Sequence, residues 1–183
     1  LLDEHDHFEQ LIEKAASLGQ LPTAVVCPDD LHSLGGTVLS MQRGLIKPIL
    51  IGSKARIETM AREANLSIEG MELIDEPDHK RAAARAVALV HEGRARAIMK
   101  GNLHSDDLLG QVVKKDGGLR SGRRISHVFV MDVPTMDHPL FVTDAAINIA
   151  PDLPTKADIT QSAIDLAVSC GIQQPLVGIL SAV

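Results

Sequence analysis

The sequence predicts a three-layer α/β/α fold built on a mostly parallel sheet. Three observations carry that prediction. Short apolar runs rich in β-branched residues alternate with longer stretches whose apolar positions repeat at helical spacing. Glycine or proline closes most of these segments, as at Gly19, Pro28, Gly52, Gly93 and Gly171. Alternation at this spacing calls for right-handed crossovers, which place helices on both faces of a parallel sheet.

In chain order, Phe8, Leu11, Ile12 and Ala15 lie on one face of an opening helix, which stops at Gly19. Thr23 to Cys27 reads as a buried strand ended by Pro28, and a helix follows from about Asp30. Gly35-Gly36 falls inside this helix and is expected to make a packing contact. The second strand, Pro48 to Ile51, is closed by Gly52. Ser53 is placed to cap a helix with Ile57, Met60, Ala61 and Ala64 at helical spacing. A short strand at Met71 to Ile74 precedes an alanine-rich helix from about His79 to Glu92. Ala97 to Met99 is the next strand, and Ser105 is the expected cap of a helix that turns Leu108, Leu109, Val112 and Val113 inward. Two further strands are expected at His127 to Met131 and Leu140 to Val142. Thr155 and Asp158 have capping-box spacing before a helix with Ile159, Ala163, Leu166, Ala167 and Cys170 on one face. Leu176 to Leu180 completes the set as another strand.

Glycines and arginines interrupt this pattern between residues 116 and 126. The expected division is a first α/β domain over residues 1–124 and the start of a second over residues 125–183. There is no internal repeat, low-complexity tract or long linker. The chain closes on Ser181-Ala182-Val183, just after an apolar strand and without a polar tail, which reads as a fragment truncated at the C-terminus.

Composition narrows the function. No apolar run approaches the length of a membrane span, and the acidic opening Leu1, Leu2, Asp3, Glu4, His5 is unlike a signal or transit peptide. Cys27 and Cys170 are isolated and read as reduced core residues, so cytoplasm is the expected compartment. A net charge of −6, with no Trp, no Tyr and three Phe, argues against nucleic acid, because few rings are available to stack on bases. Between Lys80 and Arg124, however, eleven basic residues face four acidic ones, a local balance of +7 in a chain whose total is −6. A basic stretch in an acidic protein suits a small anionic ligand better than a long polyanion.

Three segments offer chemistry. Lys100-Gly-Asn-Leu-His-Ser-Asp-Asp107 follows a buried strand and opens a helix, the place where parallel sheets bind anions. There Gly101 would admit a ligand close to the backbone, and Lys100 and the Ser105 hydroxyl would meet phosphate oxygens. An ordinary capped helix fits the same residues, and the local pattern alone favours it, since Asp106 and Asp107 belong in a first turn. Leu119 to His127 groups Arg120, Arg123 and Arg124 around Gly122, which suits either bidentate phosphate binding or an exposed linker. Val142 to Pro151 places Asp144 and Asn148 four apart, on one face if the stretch is helical; they would orient a substrate or an arginine, or serve a turn. No Gly-rich phosphate loop or dinucleotide fingerprint occurs. No Cys/His cluster has zinc spacing, and His5 and His7 are expected to be solvated.

Taken in order, these segments resemble the phosphate acetyl/butyryltransferase family over almost the whole chain. Asp29 to Gly52 is similar to the family's strand–helix–Leu-Ile-Gly opening. Lys100-Gly101 with Ser105 and Asp107 is similar to its Lys-Gly and Thr-x-Asp element, with Ser in place of the commoner Thr. Arg120-Ser-Gly122 and Ser126-His127 resemble the Arg-Thr/Ser-Gly and Ser-His elements of the butyryl-type branch. Thr143-Asp144 with Asn148 and Pro151 is similar to the Asp-x-Ala-x-Asn-x-x-Pro element, with Ala145 where Gly is frequent.

The resemblance implies a two-domain fold of the isocitrate/isopropylmalate dehydrogenase-like type, with the active cleft between domains, and a homodimer. It implies the exchange acyl-CoA + phosphate = acyl phosphate + CoA, with coenzyme A as substrate or product, no bound cofactor and no metal. Lys100, Gly101, Ser105, Arg120, Ser126, Asp144 and Asn148 are then expected to bind substrate. The family's catalytic Ser, Arg and Asp belong to a returning C-terminal segment, so no catalytic residue is assigned here. Either direction of the reaction passes through an oxyanion beside phosphate charge, so arginines and N–H donors should supply much of the stabilisation. A base for the thiol, whose free pKa is roughly 8.5 by analogy with Cys, is expected in that segment too. Two alternatives stand beside this reading. One is an NAD- and metal-dependent hydroxy-acid dehydrogenase of the same fold, which needs an aspartate cluster of which only Asp144 is a plausible member. The other is a non-catalytic CoA- or anion-binding module.

Overall fold

In the computed structural model of the chain, which describes residues 7–180, the apolar segments sort into two compact units. One is Ile12–Arg120; the other joins the described residues up to Leu11 with those from Ser121 onward. Helix α1 (His7–Ser17) contributes residues to both.

The unit Ile12–Arg120 is three-layered. Strands β1 (Leu21–Val26), β2 (Ile46–Gly52), β3 (Glu72–Asp75) and β4 (Ala97–Lys100) form a parallel sheet in the order β3-β2-β1-β4. Helices α2 (Leu31–Gln42), α3 (Lys54–Glu63) and α4 (His79–His91) connect them in turn, and α5 (Ser105–Val112) follows β4. Successive strand residues point to opposite faces. Ala24, Val26, Ile49 and Ile51 pack with Ala82, Ala83 and Ala86 of α4 and Leu108 of α5. Val25 and Leu50 pack with Leu34 of α2 and Ile57 and Ala61 of α3 on the other side. Burial on both faces explains why these strands read as unbroken apolar runs.

Local chemistry sets the helix ends. The Asp30 carboxylate accepts from the N–H groups of His32 and Ser33 at the start of α2; Ser53 and Asp78 cap α3 and α4 in the same way. Gly93, at φ +71°, takes the left-handed turn after α4 that a side chain would resist. Pro48 is admitted to β2 because β3 pairs only from Ile49 onward, so its missing N–H falls where the strand has an open side.

In the other unit, β5 (Val128–Met131) and β6 (Leu140–Thr143) pair antiparallel, and α6 (Leu153–Ser169) packs against β6. Among the described residues, no helix is long and apolar enough to cross a membrane.

Several expectations need correction. The last two strands do not extend the parallel sheet: residues 132–139 suffice for a hairpin but not for a parallel crossover, which takes a dozen or more. Leu176 to Leu180 is not a strand. No strand among the described residues pairs with it, and Leu176 is fully exposed. Ser105 does not cap α5 but is its first residue, with His104 at the cap position and no side-chain cap hydrogen bond. The cap of α6 is Asp152, not Thr155, which is buried as the acceptor's partner: its N–H donates to Asp152 Oδ1 at 3.0 Å. The stretch from Asp144 to Asn148, open to helix or turn in the sequence, is a turn in which Asp144 takes the local N–H groups itself. Phe8, Ala15, Val113 and Leu166, expected inward, are exposed. His7 is buried rather than solvated: its backbone N–H donates to Asp132, and its Nε2 lies 3.2 Å from the Met136 carbonyl. His5 and Ser181 to Val183 lie outside the described residues. Cys27 is buried and Cys170 half-buried, both as free thiols.

Candidate functional site

Two groups of candidate residues emerge, one in each unit. The first lies at the carboxyl edge of the parallel sheet. The strand order makes β1 and β4 neighbours, while the connections following them leave for opposite faces, α2 on one and α5 on the other. Ligands of open α/β sheets bind beyond such a switch point.

Here the chain after β4 is drawn against the end of β1. Gly101 N–H donates to the Val26 carbonyl and Asn102 N–H to the Cys27 carbonyl, each at 2.8 Å. A Cβ on Gly101 would fall 2.5 Å from both carbonyl oxygens, so glycine is required here for contact with the protein's own backbone. Lys100, the last residue of β4, is exposed, and its Nζ donates to the Gly101 carbonyl at 3.1 Å. Ser105 is exposed at the head of α5, where Asp106 and Asp107 already answer the helix dipole. Lys80 Nζ approaches Asp107 at 4.0 Å. Lys100, Gly101 and Ser105 thus share one short loop. Arg120 is exposed at the end of this unit, one residue past Leu119, whose N–H donates to the Val112 carbonyl.

Beneath the loop sits a group that sequence reading missed. The Asp29 side chain, 2% exposed, accepts from Asn102 Nδ2 at 2.9 Å through Oδ1. Its Oδ2 lies 2.8 Å from Arg56 Nε, close enough for an ion pair but not aligned as a hydrogen bond. The available signal was the pair Asp29-Asp30 directly after a buried strand: one acid caps α2, and the second needs another explanation. Burial, followed by the Asp29 charge, pushes the Cys27 thiol up to about 11, so this cysteine is no nucleophile at neutral pH.

The second group centres on Asp144. Its Oδ1 accepts from the N–H groups of His127, Ala146 and Ile147 at 3.1–3.3 Å; its Oδ2 accepts from the backbone and side-chain amides of Asn148. Partial burial acts to raise the carboxyl, but the Asn148 amide and the three N–H groups outweigh it and hold Asp144 below the usual aspartate range. Asn148 Nδ2 also donates to the Ile125 carbonyl at 3.0 Å. Ser126, half-buried, is therefore bracketed by Asn148 on one side and Asp144 on the other. His127 Nδ1 is buried without a hydrogen-bond partner, and its ring meets Phe129 edge-on at 4.2 Å. Of the other two arginines, Arg123 pairs with Asp165 of α6, and the Arg124 N–H donates to Asp158. Both contacts suit a connector. Among the described residues, no three His, Cys, Asp or Glu side chains gather closely enough to hold a metal ion.

The family described as Phosphate acetyl/butaryl transferase matches residues 79–183. A phosphate acetyltransferase of Rhizobium meliloti is 49% identical over 176 residues, covering 96% of this chain and 56% of the relative. A phosphate butyryltransferase of Clostridium acetobutylicum is 34% identical, covering 96% of this chain and 58% of the relative. The chain therefore spans a little over half the length of these curated relatives. Among solved structures, a phosphotransacetylase from Streptococcus pyogenes superposes with a TM-score of 0.72 at 18% identity, over 90% of this chain and 58% of that one. At that identity the likeness speaks for the fold alone.

Proposed function

Because this chain belongs to the phosphate acetyl/butyryltransferase family, we propose that the complete protein exchanges coenzyme A and inorganic phosphate on an acyl group. The observation that carries this reading is the 49% identity to a phosphate acetyltransferase across nearly the whole chain. The geometry supports it with a lysine and a hydroxyl on one exposed loop at the carboxyl edge of a parallel sheet.

In this reading, Lys100, Ser105 and Arg120 meet the phosphate-bearing substrate directly. All three are exposed, and lysine and arginine supply charge-assisted bonds to phosphate oxygens. Gly101 holds the loop to β1. Asp144 and Asn148 present Ser126, since their own polar atoms are taken up by the loop they organise. The nucleophile is the coenzyme A thiol in one direction and phosphate in the other, and the base that takes the thiol proton belongs to the part of the family's length outside this chain. The fold of the complete protein is of the isocitrate/isopropylmalate dehydrogenase-like type, and the protein is a cytoplasmic homodimer. The dehydrogenase alternative has less support, because the relatives matched over nearly the whole chain are phosphate acetyl- and butyryltransferases.

The test is thiol release from acetyl-CoA and butyryl-CoA by the complete protein, with and without phosphate. Release that depends on phosphate is expected, and the ratio of the two rates identifies the preferred acyl chain. A folded, full-length protein that releases no thiol would overturn the reading.

A further inference from the structure

Around the Cys27 carbonyl, three ordinary preferences of the chain are overridden together. Cys27, not a glycine, sits at φ +53°. Arg56 puts a cation in the first turn of α3, against the helix dipole. Asp29 keeps a carboxyl side chain only 2% exposed. Departures of this kind persist where the surroundings over-determine them, and they gather where a protein must hold functional groups in place.

Asp29 links these features. One carboxylate reaches Arg56 in the segment after β2 and Asn102 in the loop after β4, while itself standing in the loop after β1. It thereby ties together three connections at the carboxyl edge of the sheet. Asn102 lies between Lys100 and Ser105, on the same short loop. A buried charge is expensive and adds little net stability over an apolar side chain of similar size. Packing alone therefore gives no reason for a carboxylate here, whereas holding an exposed loop to one geometry does.

We propose that Asp29 is a positioning residue: acting through Asn102, it fixes the β4–α5 loop so that Lys100 and Ser105 meet the phosphate-bearing substrate. The proposal rests on the acyltransferase reading above. Arg56 serves it by placing a cation 2.8 Å from Oδ2, the carboxylate oxygen that Asn102 does not use.

The experiment compares wild type with Asp29→Ala, Asn102→Ala and the double variant in the complete protein. Hydrogen exchange over residues 101–107, steady-state kinetics with phosphate varied, and thermal unfolding are measured on each. Each single variant is expected to exchange faster in that segment. KM for phosphate should rise by about 10- to 100-fold, the scale on which small misplacements of binding groups act, with kcat changed less. The double variant should be little worse than either single one, as for two members of one linkage. Unchanged exchange in residues 101–107 would overturn the proposal. So would kcat falling in step with thermal stability while KM stays constant, the pattern of a purely structural residue. A folded wild type without phosphate-dependent turnover would instead overturn the acyltransferase reading, and the positioning role with it; failure of the variants alone, in an active wild type, removes only the role of Asp29.

Discussion

Gly101 and Asp144 show how much a single residue can decide in this protein. A methyl group on Gly101 would enter the space of the Val26 and Cys27 carbonyl oxygens, at and just past the end of β1, with nothing flexible to yield. Gly101→Ala is expected to cost at least the roughly 1–3 kcal/mol of an overpacked interior site, measured by urea unfolding. Asp144 acts through its charge. Its folded pKa lies below the unfolded aspartate value of about 3.9, so the unfolded chain binds the proton more readily. The stabilisation is therefore complete above that value and is lost as pH falls through the depressed one. Acid unfolding should show this contribution, and Asp144→Ala should remove it from the difference between pH 6 and pH 3. The four-residue spacing of Asp144 and Asn148 is legible as a contact, but it fits a helix or a turn equally well. The carboxylate instead gathers N–H groups from both neighbouring segments, a non-local arrangement that spacing does not record.

At the scale of elements, caps separate what was readable from what was not. Asp30 caps α2 with two hydrogen bonds, and Asp30→Ala is expected to cost about 1 kcal/mol in thermal or urea unfolding. Ser105→Ala should leave stability nearly unchanged, because His104 holds the cap position of α5. Any loss of phosphate use in that variant would then report on binding, and a matched loss of stability would instead show a capping role. The helices and the four parallel strands were visible in the sequence, since each carries its own period and its own stop. The pairing of β5 with β6 was not. Apolar runs look alike whichever neighbour they find, and the choice was made by the length of residues 132–139. The Asp29 contacts were hidden for a related reason: they join positions 27 and 73 residues apart, which no local pattern connects.

For the whole molecule, Arg120 is the informative position. It is exposed at the close of one unit, so Arg120→Ala should leave the unfolding midpoint of the complete protein unchanged. Phosphate or coenzyme A use should nevertheless weaken by about tenfold or more, the scale of a lost charge-assisted contact; unaltered kinetics would remove it from the site. The strand order carries a consequence for synthesis. β1, buried from Thr23 to Val26, gains its second neighbour only from β4, through pairs such as Thr23 with Ala97. A nascent chain that has emerged only as far as α4 therefore displays the open hydrogen-bonding edge of its central strand. Truncation at Glu92 should accordingly scatter light and bind chaperones, whereas extension through Leu119, which adds β4 and α5, should suppress both.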